Sequence, residues 1–84
     1  MARYILITSV GGAPPGYQYQ RFPRGTTIAD TAGNAQPGDV VFPGLAAAPS
    51  PRNVAPMDAA AQALMPGSSL MTLAQLASSS IGGP

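Results

Sequence analysis

The chain has 84 residues, of which only four Arg and three Asp are charged, and it contains no Lys, Glu, His, Cys or Trp. Soluble domains usually devote about a quarter of their residues to charged side chains, which keep their surfaces apart in solution. Here the fraction is 8%. The composition therefore excludes catalysis by a His, Cys, Lys or Glu side chain, and it predicts a surface that is largely covered by other protein.

The small size of the chain also predicts that other protein covers part of its surface. A chain of this length forms at most one domain and buries only a modest part of its surface. Small folds usually gain the missing stability from disulfides, a metal ion or oligomerisation, and without Cys and His only partner burial remains. The net charge of +1 gives no long-range attraction to nucleic acid, and no apolar run approaches the roughly 18 residues of a transmembrane helix. We therefore expect no nucleic-acid and no membrane partner.

Two strands are predicted before residue 23. Residues 3–10 are dominated by β-branched and aromatic side chains, with both faces apolar through Ile7, which predicts a strand that is central or covered on both sides. Residues 11–16, rich in Gly and Pro, predict a loop. Residues 17–22 alternate strictly, which is typical of a half-buried strand. Its two faces carry Tyr17, Tyr19 and Arg21 on one side and Gln18, Gln20 and Phe22 on the other.

Turn signals separate the remaining strands of the first half. Residues 22–25 have Pro at the second position and Gly at the fourth, which favours a type I turn. Residues 26–30 predict a strand, and residues 31–35 predict a loop or a single helical turn. Residues 36–39 place Pro and Gly at their centre, the pattern of a type II turn, and residues 40–42 predict one more strand.

The composition changes after Phe42. Residues 43–56 carry four prolines and no sustained period, which indicates an extended Pro/Ala-rich arm. A short helix is predicted over residues 57–65, with Pro56 at its first position and Asp58 where the helix dipole favours an anion. A second helix is predicted from Ser68 or Ser69 to about Ser78, followed by a flexible tail. The apolar face of that second helix would carry Leu70, Leu73, Ala74 and Ala77.

These segments together predict a β-rich α+β fold in one structural unit. It would consist of a small β-rich module of three or four short strands over residues 1–42, the arm over 43–56, and two short helices with the tail over 57–84. Helices this short need something to pack on. The helix pair is therefore either a hydrophobic anchor for a groove on a partner or a small cap over the strands.

The side chains present offer little for catalysis or metal binding. Nothing activates the Ser and Thr hydroxyls, because no base with a near-neutral pKa is available. The best carboxylate pair is Asp30 with Asp39, provided that their strands are adjacent. The structural interpretation makes Asp39 a turn residue and Asp30 a strand-end cap or a salt-bridge partner of Arg21 or Arg24. We expect no catalytic residue, no cofactor and no metal ion.

Aromatic and basic residues interleave over residues 17–24. Such a strand face could stack nucleic-acid bases, but the net charge of +1 lacks the phosphate-contacting cations that such proteins use. A packed strand face or a protein interface fits better, since Tyr and Arg are common interface anchors. The residues expected to contact a protein partner are Tyr17, Tyr19, Arg21, Phe22, Arg24, Leu45, Arg52, Val54, Met57, Leu70 and Leu73.

Four stretches of the chain carry a resemblance to a known class of proteins. They are Arg-Tyr-Ile-Leu-Ile-Thr at 3–8, Thr-Thr-Ile-Ala-Asp-Thr at 26–31, Pro-Gly-Asp-Val-Val at 37–41 and Met-Asp-Ala-Ala-Ala-Gln at 57–62. With the low charge and the Pro/Ala-rich arm, the chain resembles small accessory structural proteins of tailed bacteriophages. The resemblance implies a non-enzymatic virion component, such as a head decoration or cement protein, in many symmetric copies.

Two functions are therefore expected as alternatives. The first is a structural protein of the virion that joins capsid or other virion subunits, and copies of itself, by strand addition and the extended arm. The second is a small intracellular binding or regulatory module in the host cytoplasm that contacts protein or nucleic acid. Self-association or copurification with particles would favour the first, and salt-dependent retention on nucleic acid would favour the second.

Overall fold

Six short strands and three short helices form the described part of the chain, which is residues 2–43 and 49–77 of a computed structural model. The strands are β1 (Arg3–Leu6), β2 (Val10–Gly12), β3 (Gln20–Phe22), β4 (Thr27–Ala29), β5 (Val40–Val41) and β6 (Val54–Pro56). A 3₁₀ helix spans Ala32–Asn34, and the α-helices are α1 (Ala59–Ala63) and α2 (Leu73–Ala77). A small, mixed, sheet-rich fold with two short α-helices confirms the predicted β-rich α+β class at this level.

The larger sheet has the strand order β5-β4-β1-β6. β1 pairs antiparallel with β4, placing Tyr4 opposite Ile28, and antiparallel with β6, placing Tyr4 opposite Pro56. β4 and β5 are parallel, with Ile28 beside Val40. β1 is therefore an interior strand of this sheet, as its apolar sequence predicts.

Both faces of β1 are covered, because successive side chains of a strand point to opposite sides. Tyr4 and Leu6 lie on one face, in a cluster that we call the first core. Ile5 lies on the other face and, with Ile7 just beyond the strand, belongs to a smaller cluster that we call the second core. The second core also contains Ala55 and Leu76. Coverage of the strand on both sides was predicted and is confirmed.

The strand predicted over residues 3–10 is divided in two. Residues 7–9 bend, and β2 then pairs antiparallel with β3 in a separate two-stranded ribbon. Gly11 and Gly12, which were predicted to lie in a loop, belong to β2. The prediction missed this because Gly has little preference for strands. Their missing side chains leave room for aromatic side chains to lie against both sides of the ribbon.

The two predicted turns have different outcomes. At residues 36–39 the backbone N–H of Asp39 donates to the Gln36 oxygen at 2.9 Å and Gly38 has a φ of 91°, so the type II pattern is confirmed. The other turn is displaced by one residue, because the N–H of Thr26 donates to the Pro23 oxygen at 3.1 Å. Gly25 thus occupies the third position with a φ of 95°, which Gly adopts at no steric cost.

The predicted extended arm ends earlier than expected. Of residues 43–56, those from 44 to 48 lie outside the described residues, and residues 51–53 form a turn. In this turn the backbone N–H groups of Asn53 and Val54 both donate to the Ser50 oxygen at 3.0 Å. The last three residues form β6, whose buried residues pair with the interior strand β1. Pro is tolerated there because β6 lies at the sheet edge.

Both helices are shorter than predicted. Pro56 ends β6 rather than beginning α1, whose N-cap is Asp58, with its carboxylate accepting from the Ala61 N–H at 2.8 Å. α2 follows Thr72, where Thr72 and Gln75 cap one another: the Gln75 N–H donates to Thr72 Oγ1 at 3.2 Å and the Thr72 N–H donates to Gln75 Oε1 at 2.8 Å.

The apolar stripe predicted for the second helix is wrong in part. Leu70 precedes α2 and is exposed, as are Ala74 and Ala77, whereas Leu76 is buried against the sheet. The short helix turns a different face to the strands than the longer predicted helix would. Of the two alternatives for the helix pair, the structure has the cap over the strands; the predicted tail lies outside the described residues.

Candidate functional site

The outward face of the β2–β3 ribbon holds the group of predicted interface residues that the structure brings together. Gly11 pairs with Arg21, and a Cβ on Gly11 would lie 2.6 Å from Tyr19 Oη and 3.8 Å from Arg21 Nη2. Tyr19 and Arg21 therefore share one face of the ribbon, as the alternation predicts. We call these two residues, together with the exposed Tyr17 that precedes β3, the ribbon surface.

Tyr19 is both exposed and positioned. Its exposed fraction is 75%, yet its hydroxyl end rests on the backbone of Gly11. The space that a side chain at position 11 would fill is taken by the end of the phenol. Tyrosine offers a large amphipathic contact area with few rotatable bonds, so a partner that binds here loses little side-chain entropy.

Arg21 lies beside Tyr19 and reaches toward the chain before β2. Its Nη1 donates to the backbone oxygen and to Oγ of Ser9, at 3.4 Å each. These contacts are long, and Arg21 is exposed. A guanidinium held loosely at the surface still has donors to offer to carbonyl or carboxylate oxygens of a partner.

The inward face of the ribbon is aromatic and joins the first core. Phe22 is buried, and its ring meets that of Phe42 edge to face, with centroids 6.1 Å apart. A Cβ on Gly12 would lie 2.6 Å from Phe42 Cζ, so this glycine is in close contact with the aromatic ring. The strand predicted over residues 17–22 is wrong in its first half, because residues 17–19 lie before β3. The ring of Tyr17 meets that of Phe22 edge to face at 5.7 Å, although the alternation predicted these two residues on opposite faces. Tyr17 thus links the exposed surface to the core.

The other predicted interface residues are not gathered at one place. Phe22 and Val54 are buried in the first core, so neither offers a surface to a partner in this conformation, and Met57 is half-buried beside the second core. Arg24 donates from Nη2 to the Leu76 oxygen at 3.0 Å, which holds α2. Arg52 and Leu70 are exposed at other sites, Leu45 lies outside the described residues, and Leu73 begins α2.

Asp39 is committed to a part-buried ion pair with Arg3 rather than to a carboxylate pair. Its side chain is 1% exposed and accepts from Arg3 Nε and Nη2 at 2.7 Å each, from Thr27 Oγ1 at 2.6 Å and from the Gln36 N–H at 3.0 Å. The hydrogen bond from Arg3 lowers the pKa of Asp39 to about 2, against the opposing effect of burial. This network joins β1, β4 and the turn before β5.

Asp30 has a different partner, although β4 and β5 are neighbours. It accepts a hydrogen bond from Nδ2 of the buried Asn34, which also donates to the Ala2 oxygen at 2.8 Å. The structural interpretation of Asp30 as a partner of Arg21 or Arg24 is thus replaced by Asn34. Within residues 2–43 and 49–77, no group of three or more His, Cys, Asp or Glu residues is placed to hold a metal ion.

Tyr4 presents the opposite situation to Asp39. Its hydroxyl is buried and has no hydrogen-bond partner among the residues that the structure describes. Burial, followed by the charges of Asp30 and Asp58, raises the pKa of this phenol. A buried polar group without a partner costs stability, so Tyr4 marks an imperfection in the first core.

Two features of the surface were missed by reasoning from the sequence. Gly11 supports Tyr19, but the Gly-Gly pair was assigned to a loop; only its place opposite Arg21 reveals its role. Leu64 is 48% exposed just after α1, and it was not singled out because residues 57–65 were predicted to be one helix. Neither the contact of Gly11 with Tyr19 nor the exposure of Leu64 can be predicted from the adjacent residues in the sequence.

No protein-family model, curated protein or solved structure matches this chain. The function proposed for it therefore rests on its own residues. Among the described residues, no helix combines the length and apolar character that crossing a membrane requires.

Proposed function

We propose that the protein is a non-enzymatic accessory subunit of a virion, of the cement or decoration type, that binds neighbouring capsid subunits through the ribbon surface. The observation that carries the proposal is Tyr19, a largely exposed tyrosine that is nevertheless held in place over Gly11. Ordered, exposed aromatic side chains beside an arginine are typical of residues that dominate protein interfaces.

The physical advantage of this arrangement is preorganisation. A side chain that is already ordered before binding avoids part of the entropy cost, which is about 0.5–1.5 kcal/mol for an immobilised rotamer-rich side chain. Tyr17 is ordered as well, since its ring packs on the buried Phe22. A partner that contacts Tyr17 would thus bind a side chain that is itself packed on the first core.

The ribbon also offers a place for strand addition. In the described part of the chain, β2 and β3 pair only with one another, so each has a partner along one edge. A strand from a neighbouring subunit could extend the ribbon through backbone hydrogen bonds, while the aromatic side chains supply specificity. Strand addition is the joining mode expected from the sequence, and the pairing of β2 and β3 with one another supports it at the edges of the ribbon.

The composition supports a protein that functions in contact with other protein. The centres of protein interfaces are depleted of charged residues and enriched in Tyr and Arg. The chain has 8% charged residues and three Tyr, two of which are on the ribbon surface. Copies bound side by side would cover the weakly charged surface that a free monomer exposes.

The test is incorporation into particles. Particles from a host that expresses the protein would be purified and examined by quantitative mass spectrometry for the protein and its copy number. We expect many copies per particle with the unmodified chain and at least a tenfold loss with Tyr19→Ala. The matched control is Gln18→Ala, which truncates an exposed neighbour and should bind normally.

A second variant separates placement of the tyrosine from its presence. Gly11→Ala keeps Tyr19 but puts a methyl group where the phenol hydroxyl lies, so the ring must move. We expect an intact fold with weaker incorporation. Absence of the protein from particles, or normal incorporation of Tyr19→Ala, would contradict the proposal.

The same surface gives the alternative function a specific basis. An exposed tyrosine beside an arginine on a strand face is also an arrangement that stacks unpaired bases. If the protein is instead a small binding module for nucleic acid, Tyr19→Ala will reduce retention on a single-stranded oligonucleotide, and that retention will fall with salt. Retention that is independent of both Tyr19 and salt would exclude this alternative.

A further inference from the structure

A short segment at the end of the described chain covers the second core. We call residues 71–77 the cap segment. Leu76 is its one fully buried side chain among those described, with an exposed fraction of 2%. The backbone N–H of Met71 donates to the Pro56 oxygen at 2.8 Å, and Arg24 donates to the Leu76 oxygen. The groups that hold the cap segment from outside it are thus the Pro56 oxygen of β6, the Arg24 guanidinium in the turn before β4, and the apolar side chains of the second core.

The connection to the cap segment is open to solvent. After α1, the Ser68 N–H donates to the Met65 oxygen at 3.0 Å and Gln62 Nε2 donates to the Ser68 oxygen at 3.1 Å, which fixes a turn. Ser69 and Leu70 follow and are exposed. These two residues join a fixed turn to the cap segment and are therefore the natural hinge.

Two leucines are left exposed on either side of that turn. Leu64 is 48% exposed and Leu70 is 46% exposed, and together with Tyr17 and Tyr19 they are the large hydrophobic residues that the described surface exposes most. In the closed chain both leucines thus remain about half exposed. Burying these leucines against the leucines of a second copy would remove apolar surface from water, which is a favourable change.

We propose that, in the assembled protein, the cap segment of one copy binds the second core of a neighbouring copy in place of its own. The contacts are the same in both arrangements, because each copy carries an identical sheet, Pro56 oxygen and Arg24. Only the hinge differs. Exchange of an identical element between protomers costs little for this reason.

Concentration decides which arrangement prevails. A short connection holds the cap segment at an effective concentration on the order of millimolar near its own sheet, so the closed form prevails in dilute solution. Copies packed side by side in a particle offer comparable local concentrations, and burial of Leu64 and Leu70 then favours exchange. This inference rests on the proposed multi-copy assembly, but it can be tested on the pure protein.

Shortening the hinge should force exchange. Removing Ser69 and Leu70 shortens the path by about 7 Å, at roughly 3.3–3.6 Å for each extended residue, and we expect the cap segment to lose its reach to its own sheet. We expect a dimer, seen as a doubling of mass in sedimentation equilibrium, with amide protection of Ile5 and Ile7 retained. Insertion of two glycines at the same place is the control and should stay monomeric. A monomeric deletion variant that has lost this protection would overturn the inference.

Complementation tests the same exchange without altering the hinge. Leu76→Asp damages the cap segment, and Ile7→Asp damages the second core, so neither variant can form the contact alone. Refolded together from denaturant, they should give a mixed dimer containing one intact contact, and each alone should not. If no mixed dimer forms and the hinge deletion is monomeric, exchange does not occur. The proposed function is tested separately, by incorporation of the protein into particles, so this result would not contradict it.

Discussion

The two faces of β1 are covered in unlike ways. The first core combines side chains from β1, β3, β4, β5, β6 and α1, and its buried members are Ala2, Tyr4, Leu6, Phe22, Ile28, Val40, Val54, Ala61 and Met65. The second core has four buried members, Ile5, Ile7, Ala55 and Leu76. One face is thus joined to nearly every element, whereas the other depends on one short segment. The contacts that join most elements of the fold and the contact that we propose to be exchanged therefore lie on opposite sides of one strand.

The sharpest test of this difference deletes the same atoms on each side. Leu6→Ala removes a fully buried side chain from the first core, and it should lower the free energy of unfolding by about 2–5 kcal/mol. Leu76→Ala should instead release the cap segment while the first core remains folded. Hydrogen exchange distinguishes them: protection falls everywhere in Leu6→Ala but mainly around Ile5, Ile7 and the cap segment in Leu76→Ala. Equal, global loss in both variants would break the comparison.

The ion pair of Asp39 strengthens the sheet that carries the first core. Asp39→Asn should lower the free energy of unfolding at neutral pH by about 2–3 kcal/mol, because Arg3 loses its charged partner.

The pH dependence of stability gives a separate signature of the same pair. The pKa of Asp39 is lowered from 3.8 to about 2 on folding, so its contribution is present above pH 3.8 and is lost as the pH falls toward 2. Denaturant unfolding between pH 2 and 7 should show this loss in the unmodified protein. Asp39→Asn should lack this loss of stability between pH 3.8 and 2. If the pH dependence of its stability equals that of the unmodified protein, the lowered pKa does not belong to Asp39.

The two glycines of the β2–β3 ribbon also differ in their surroundings, since Gly12 faces the first core and Gly11 faces the exposed Tyr19. In Gly12→Ala the new Cβ would lie 2.6 Å from Phe42, which packs against the first core, and we expect a cost of about 1–3 kcal/mol from overpacking. Gly11→Ala displaces only the exposed hydroxyl end of Tyr19, which can move into solvent, and should change the free energy of unfolding by less than about 0.5 kcal/mol. Thermal unfolding of the two variants provides the measurement, and a larger effect at position 11 would reverse the assignment of the faces.

The smallest expected effect is a gain in stability. Tyr4→Phe removes a buried hydroxyl that has no partner among the described residues, and it should raise the free energy of unfolding by about 1 kcal/mol. Because burial raises the pKa of Tyr4, this phenol also makes the folded state less stable as the pH rises above 10, a dependence that Phe removes. Loss of stability in Tyr4→Phe would show that the hydroxyl is satisfied in solution.

Several features were predictable because they depend on a few adjacent residues. The apolar residues on both faces of residues 4–7 specify a covered strand, and Pro37 and Gly38 specify their turn through the backbone angles that they favour. Asp58 at the start of α1 follows from the preference of helix N-termini for anions and side-chain acceptors. Tyr19 and Arg21 share a face as their spacing of two predicts, although only Arg21 lies within β3.

Other features were settled by residues distant in the sequence. Residues 54–56 form a strand because β1 offers them an edge about fifty positions away, whereas their prolines and alanines alone indicated an extended arm. Leu76 is buried rather than the predicted stripe because the contact with Ile5 and Ile7, not helical periodicity, orients a helix this short. Gly11 becomes a support for Tyr19 only when β2 and β3 pair. The sequence by itself determined the strand-forming and turn-forming segments through local backbone preferences; only the tertiary structure decided which of them meet, because register and burial depend on both partners at once.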